Sequence, residues 1–253
     1  VLAQRNKMRY LRLADNFWID IDDKTDLKNA ERILCSKLKK DTDGPVSRIL
    51  NRPISLMISK VLLKTGITPN QISVLSFIVG LAGASLFFFG EYFYLILGGI
   101  IVHIHSIVDG CDGEIARLKL RRTKYGGYLD SFLDRYVDAV IILGLTYGYW
   151  SISGDSMIWI MGFAAIIGSF INTYTGEKYD SVFKTESGTG RIKFRVGRDV
   201  RLLIIVVGAL TNQIPILLII VAVLANFEAI RRLILFRNKL GDDVTDTHIE
   251  FAN

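Results

Sequence analysis

An all-α protein that crosses a membrane several times is the fold class this sequence predicts. Three observations carry the prediction: half of the 253 residues are hydrophobic, the mean hydropathy is +0.34, and apolar runs able to traverse about 30 Å of hydrocarbon recur along the chain. Six such segments are read: Ile72 to Phe89, Phe93 to Val108 with a polar extension, Leu129 to Trp150, Met157 to Tyr174, Leu202 to Leu210, and Ile214 to Leu235. The fifth is short, so its helix is expected to begin near Val196 and to carry Arg198 and Arg201. Six crossings put both termini on one side. The connections Lys119 to Lys124 and Lys178 to Arg201, and the end of the last segment, are rich in Lys and Arg, whereas the intervening connections have none. Basic residues favour the cytoplasmic side, so both termini are expected there, at the cell membrane.

Residues 1–38 have a different composition and read as a short soluble strand and helix. Trp18 to Asp22 alternates as a strand, Thr25 is the expected helix cap, and Asp26 to Leu34 has the spacing of one helical face. Residues 39–66 read as a charged linker and an interfacial amphipathic helix. Ile49, Leu50, Ile54, Met57, Ile58, Val61 and Leu62 recur on one face, Arg48, Arg52, Ser55, Ser59 and Lys60 lie on the other, a bend is expected at Pro53, and Gly66 ends the helix. Residues 67–240 form the membrane domain, entered through Thr68, Pro69 and Asn70, and residues 241–253 a polar tail.

The net charge of +6 and isoelectric point near 9.3 call for no nucleic-acid partner, because the basic residues lie where membrane topology and anionic headgroups put them. Cys35 and Cys111 fit neither a disulfide framework nor a metal-type spacing. His103 and His105 are expected to pack without a chemical role. The chain opens at Val1 rather than Met, which suggests a piece of a longer protein.

Function is written in the acids. Asp109, Asp112, Gly113, Ala116 and Arg117 form D-x-x-D-G-x-x-A-R, and after eight residues Gly126, Asp130 and Asp134 form G-x-x-x-D-x-x-x-D. A lone charge at the centre of a spanning helix costs roughly 2.5 to 3.5 kcal/mol, so four acids at the ends of two crossings demand a compensating partner, most economically a divalent cation. Spacings of three and four put each pair on one helical face. Oxygen donors without His or Cys point to Mg²⁺, or to Mn²⁺ or Ca²⁺, rather than zinc. Arg117, two turns beyond Asp109, is placed to grip a phosphate, and the glycines leave backbone open to close approach.

This pattern resembles the signature of the CDP-alcohol phosphotransferase family at every fixed position, and the resemblance runs from Pro45 to the end of the last apolar segment. It implies Asp109, Asp112, Asp130 and Asp134 as metal ligands, with Mg²⁺ or Mn²⁺ as cofactor, and Asp134 as general base. Gly113, Ala116, Arg117 and Gly126, with Thr68, Asn70 and Gln71 at the first crossing, are the implied CDP-alcohol contacts; plain capping is the other reading of the last three. Lys178, Arg198, Arg201 and Lys124 are carried over as contacts to an acceptor phosphate. A homodimer among membrane lipids is also implied. The segment WIDIDDKTDLKNAE is similar to the end of nucleotidyltransferase-like enzymes, among them cytidylyltransferases that make CDP-inositol. Together the two resemblances imply CDP-inositol as donor and inositol 1-phosphate as acceptor, with CMP released. A phospholipid synthase using CDP-diacylglycerol, and a divalent metal transporter, are the alternatives.

Overall fold

Pro, Gly and Asn punctuate the apolar runs, and helices fill the intervals between them. The computed structural model describes residues 20–38, 44–186 and 197–250, and among them there is no strand. Two compact units are present, split after Leu38. The first holds α1 (Lys24–Lys37). Its cap is Asp23 rather than Thr25: Asp23 Oδ1 accepts from the backbone N–H of Thr25 at 2.6 Å and of Asp26 at 2.7 Å. Asp20 to Asp22 form no strand, while Trp18 and Ile19 of the expected strand lie outside the described residues.

The second unit contains a π-helical turn (Ser47–Asn51) followed by α2 (Arg52–Leu63), α3 (Pro69–Phe87), α4 (Tyr92–Leu118), α5 (Lys124–Ser153), α6 (Met157–Glu186), α7 (Arg198–Leu210) and α8 (Ile214–Glu250). Among the described residues, four helices are long and apolar enough to cross a membrane: α3, α4, and the stretches Met157–Tyr179 of α6 and Ile214–Asn238 of α8. The other two expected crossings do not meet that description. Helix α7 has 13 residues, about 20 Å of rise, and α5 dilutes its apolar run with acids and Arg135. Helix α7 begins at Arg198, with Gly197 as its cap, and α8 stays helical to Glu250, through most of the expected tail.

Helices α3, α4 and α5 form the layer that carries the acids. Gly148 on α5 meets the end of α3 so closely that a Cβ there would stand 2.0 Å from the carbonyl oxygen of Phe87. Small residues of this kind let two helix backbones approach. A buried apolar core of Phe87, Leu95, Val102, Val137, Ile141 and Leu145 continues onto Leu202, Ile205 and Leu217 of α7 and α8.

The amphipathic segment is present, with its polar face inward. Asn51, Arg52, Ser55 and Ser59 are buried, whereas Ile49, Met57 and Val61 are exposed. Glu114 of α4 explains the inversion. Arg52 Nη1 donates to its Oε1 at 2.6 Å, Ser55 Oγ to the same oxygen at 2.7 Å, and Ser59 Oγ to Oε2 at 2.7 Å. Asn51 adds a bond to Ser106 Oγ at 2.9 Å. Pro53 can neither donate to the carbonyl four residues earlier nor sit against it, and the backbone widens into the π turn just before it in place of a sharp bend. Because Glu114 is wholly buried, removing its cationic partner strands a charge. Arg52→Ala is therefore expected to destabilise the protein by about 3 to 5 kcal/mol, read as a lowered unfolding midpoint in detergent, and an unchanged midpoint would contradict it.

Candidate active site

Helix α4 ends in the first half of the acidic pattern, and α5 starts with the second half after the exposed turn Lys119 to Thr123, where Leu120 adopts φ +53°. Thr123 caps α5, its Oγ1 accepting from Gly126 N–H at 2.9 Å. A Cβ on Gly126 would stand 3.0 Å from both that oxygen and Asn70 Oδ1, so glycine here admits the start of α3 to the site. The capping reading holds for two of the three residues at that start. Thr68 and Gln71 form a reciprocal capping box, with Thr68 N–H donating to Gln71 Oε1 at 2.9 Å and Gln71 N–H to Thr68 Oγ1 at 3.3 Å.

The four signature acids converge. Asp109 and Asp134 both accept from Nη1 of Arg198, at 3.1 and 2.8 Å. The carboxyl groups of Asp112 and Asp130 lie against each other. Ser73 and Ser76 on α3, i and i+3 on one face, reach across to them: Ser73 Oγ donates to Asp112, and Ser76 Oγ to Asp109 Oδ1 at 3.4 Å. Gly113 lies beside Arg117, whose Nη1 is 3.3 Å from where a Cβ would project. Ala116 is half-buried on the same turn.

Arg198 is the hub on the opposite side. As the first residue of α7 it sits where the helix dipole disfavours a cation, and the surrounding carboxylates offset that. Besides Asp109 and Asp134 it donates from Nε to Asp138 Oδ1 at 2.9 Å and from Nη2 to His105 Nε2 at 2.9 Å. Arg201 Nη2 donates to Asp138 Oδ2 at 3.3 Å. A guanidinium has no acceptor, so His105 Nε2 accepts, and its ring proton is on Nδ1, which faces the Ser76 carbonyl at 2.9 Å. Packing alone, expected for His105, is thus incomplete: it is buried and hydrogen-bonded within the site. His105, Asp109 and Asp134 present donor atoms all within 4.8 Å of one another.

Arg198 and Arg201 are brought to the acids. Lys178 is exposed, its ammonium 5.9 Å from the centre of the Tyr174 ring, and Lys124 is exposed at the first residue of α5. Arg191, Lys193 and Arg195 of the basic stretch lie outside the described residues. Sequence reasoning missed Ser73, Ser76 and Asp138, whereas Arg135, which it offered with Arg117 as a salt-bridge partner of the acids, has Nη2 3.7 Å from Asp134 Oδ2. The donor set suits a hard cation: carboxylate oxygens predominate, half-buried beside the buried His105.

The family model described as CDP-alcohol phosphatidyltransferase matches residues 66–227. A curated relative in Aquifex aeolicus, named bifunctional IPC transferase and DIPP synthase, is 35% identical over 95% of this chain and 55% of its own length. This chain thus spans about half the length of that relative. The archaetidylinositol phosphate synthase of Pyrococcus horikoshii is 30% identical over 79% of this chain and 94% of its own. Among solved structures, phosphatidylinositol phosphate synthase of Mycobacterium tuberculosis with CDP-DAG bound superposes with a TM-score of 0.61 at 25% identity, covering 72% of this chain and 92% of that one. The same enzyme in complex with manganese and citrate matches with a TM-score of 0.59 at 24% identity, over 71% of this chain and 87% of that one.

Proposed function

Since this chain belongs to the CDP-alcohol phosphatidyltransferase family, we propose that it transfers a phosphoalcohol group from a CDP-alcohol, CDP-inositol in the first instance, to a hydroxyl of inositol 1-phosphate with release of CMP. The observation that carries this reading is the meeting of Arg198 with the signature acids Asp109 and Asp134, with Arg201 joined to Arg198 through Asp138, an arrangement that supports a pair of phosphate-binding cations beside the reacting centre. The relative from Aquifex aeolicus supports the soluble donor, because its similarity covers 95% of this chain and so extends into residues 1–38, read as the end of a nucleotidyltransferase-like domain.

Asp109, Asp112, Asp130 and Asp134 would hold a divalent cation, Mg²⁺ or Mn²⁺, which when bound supplies charge neutralisation at the diphosphate and the leaving CMP. Asp134 takes the proton as the acceptor oxygen bonds to the β-phosphorus and the bond from that phosphorus to CMP breaks. Arg117 holds the donor diphosphate, and Gly113, Ala116 and Gly126 keep backbone open to it, with Asn70, Thr68 and Gln71 at the nucleotide end. Arg198 and Arg201 orient the acceptor phosphate, and Lys178 and Lys124 add attraction at the mouth. We read α5 and α7 as crossings too, six in all, with both termini and the site on the cytoplasmic side, the outward apolar face of α2 against the membrane surface, and the chain a homodimer.

A second reading takes a lipid donor, CDP-diacylglycerol or a relative of it, and is favoured by the Pyrococcus and Mycobacterium proteins, whose similarity spans nearly their whole lengths. Ion transport has no support beyond the acids themselves. Incubating purified protein in detergent with inositol 1-phosphate and either CDP-inositol or CDP-diacylglycerol, with the product identified by mass, separates the readings. Turnover of CDP-inositol without added lipid is expected. Consumption of CDP-diacylglycerol alone would replace the donor assigned here.

A further inference from the structure

The acids of α5 recur every four residues, and the third, Asp138, stands one turn beyond the signature. It is 6% exposed. Its two oxygens are divided between two arginines, Oδ1 taking Arg198 Nε at 2.9 Å and Oδ2 taking Arg201 Nη2 at 3.3 Å, and Arg135 Nη2 lies 4.0 Å away. Among the described residues it is the carboxylate that touches both Arg198 and Arg201.

Arg198 has other partners in Asp109, Asp134 and His105, whereas the hydrogen bond described for the Arg201 guanidinium is the one to Asp138. The space beside this group, bordered by Asp138, Ser169, Arg198, Arg201 and Leu202, is a cavity of about 10 Å³. That is room for about one water beside the Asp138 carboxylate. Its chemistry is directed at the two guanidiniums. Without it, Arg198 would lose the acceptor of its Nε, and Arg201 would be buried without the counter-ion described for it.

We propose that Asp138 is the positioning residue of the acceptor subsite, holding Arg198 and Arg201 side by side so that together they receive the phosphate of the acceptor alcohol. This rests on the acceptor-phosphate reading given above.

The test uses the detergent-purified chain with saturating donor, inositol 1-phosphate as the varied acceptor, and Mn²⁺ binding followed by electron paramagnetic resonance. Asp138→Asn is expected to raise the acceptor KM by about tenfold or more, with kcat changed less than about threefold and donor KM and Mn²⁺ affinity unchanged. Asp138→Glu, which keeps the charge, should recover most of the loss. An unchanged acceptor KM overturns the proposal, as does a parallel weakening of donor, Mn²⁺ and acceptor, which is what general loosening of the helices would give. Should Asp138→Asn not fold, Asp138→Glu becomes the deciding variant: its displaced carboxylate should raise acceptor KM by roughly threefold, and an unchanged value again overturns the proposal. Arg201→Ala, run alongside, separates the two levels. A rise there but not in Asp138→Asn removes the positioning role alone; no rise in either removes the acceptor-phosphate reading beneath it.

Discussion

Asp134→Asn is expected to stop CMP release while leaving donor binding nearly intact. The substitution keeps the shape of the side chain and one acceptor oxygen but removes the group that takes the acceptor's proton. General bases contribute about 10² to 10⁴ in rate, and a fall of at least about a hundredfold in kcat is the expected reading. Asp134 lies within reach of Arg198 at 2.8 Å and of Arg135 at 3.7 Å, so the substitution also loosens the hold on Arg198. Donor affinity by equilibrium dialysis, measured beside CMP release, isolates the chemical step. Near-normal turnover in the variant would remove Asp134 from the role of base.

The second large effect concerns the cation. Asp112→Ala removes a carboxylate that meets Asp130 and accepts from Ser73, and Asp109→Ala one that lies with Asp134 around Arg198. Either should abolish detectable Mn²⁺ binding by electron paramagnetic resonance and, with it, CMP release. EDTA should silence the unaltered protein, and Mg²⁺ should restore it. Full activity in metal-free buffer, or Mn²⁺ binding unaltered by Asp112→Ala, would contradict the assignment. The two experiments are complementary, since Asp134→Asn tests a proton acceptor and these variants test the ligands themselves.

The acids and the helices that bear them were readable because both rest on local spacing. Apolar runs between Gly, Pro and Asn place α3, α4, α6 and α8, and intervals of three and four put Asp109 with Asp112 and Asp130 with Asp134. What escaped was set by which helices become neighbours. Ser73 and Ser76 look like ordinary small residues of an apolar run until α3 lies against α4. Arg52 and Glu114, 62 residues apart, pair only once α2 turns its polar face inward, and amphipathicity alone does not say which face meets protein. Asp138 is the instructive omission. It continues the same four-residue interval as Asp130 and Asp134, so its signal was in the sequence, hidden because the signature ends one turn earlier.

The order in which these partners are synthesised has its own logic. Arg52, Ser55 and Ser59 precede Glu114 in the chain by 55 to 62 residues, so its counter-ion is already made when Glu114 emerges. Arg198 is the reverse case: it follows Asp138 by 60 residues and Asp109 by 89. During elongation the acids of α4 and α5 must therefore wait for the cation that joins them, with Arg135 of α5 the earlier-made partner of Asp134 and Asp138. Such a wait is tolerable in water and costly in hydrocarbon. Asp109 and Asp112 lie in the last turns of α4 and Asp130 and Asp134 in the first turns of α5, so the same placement that gathers the acids into one site keeps them towards helix ends while the neutralising helix is still to be made.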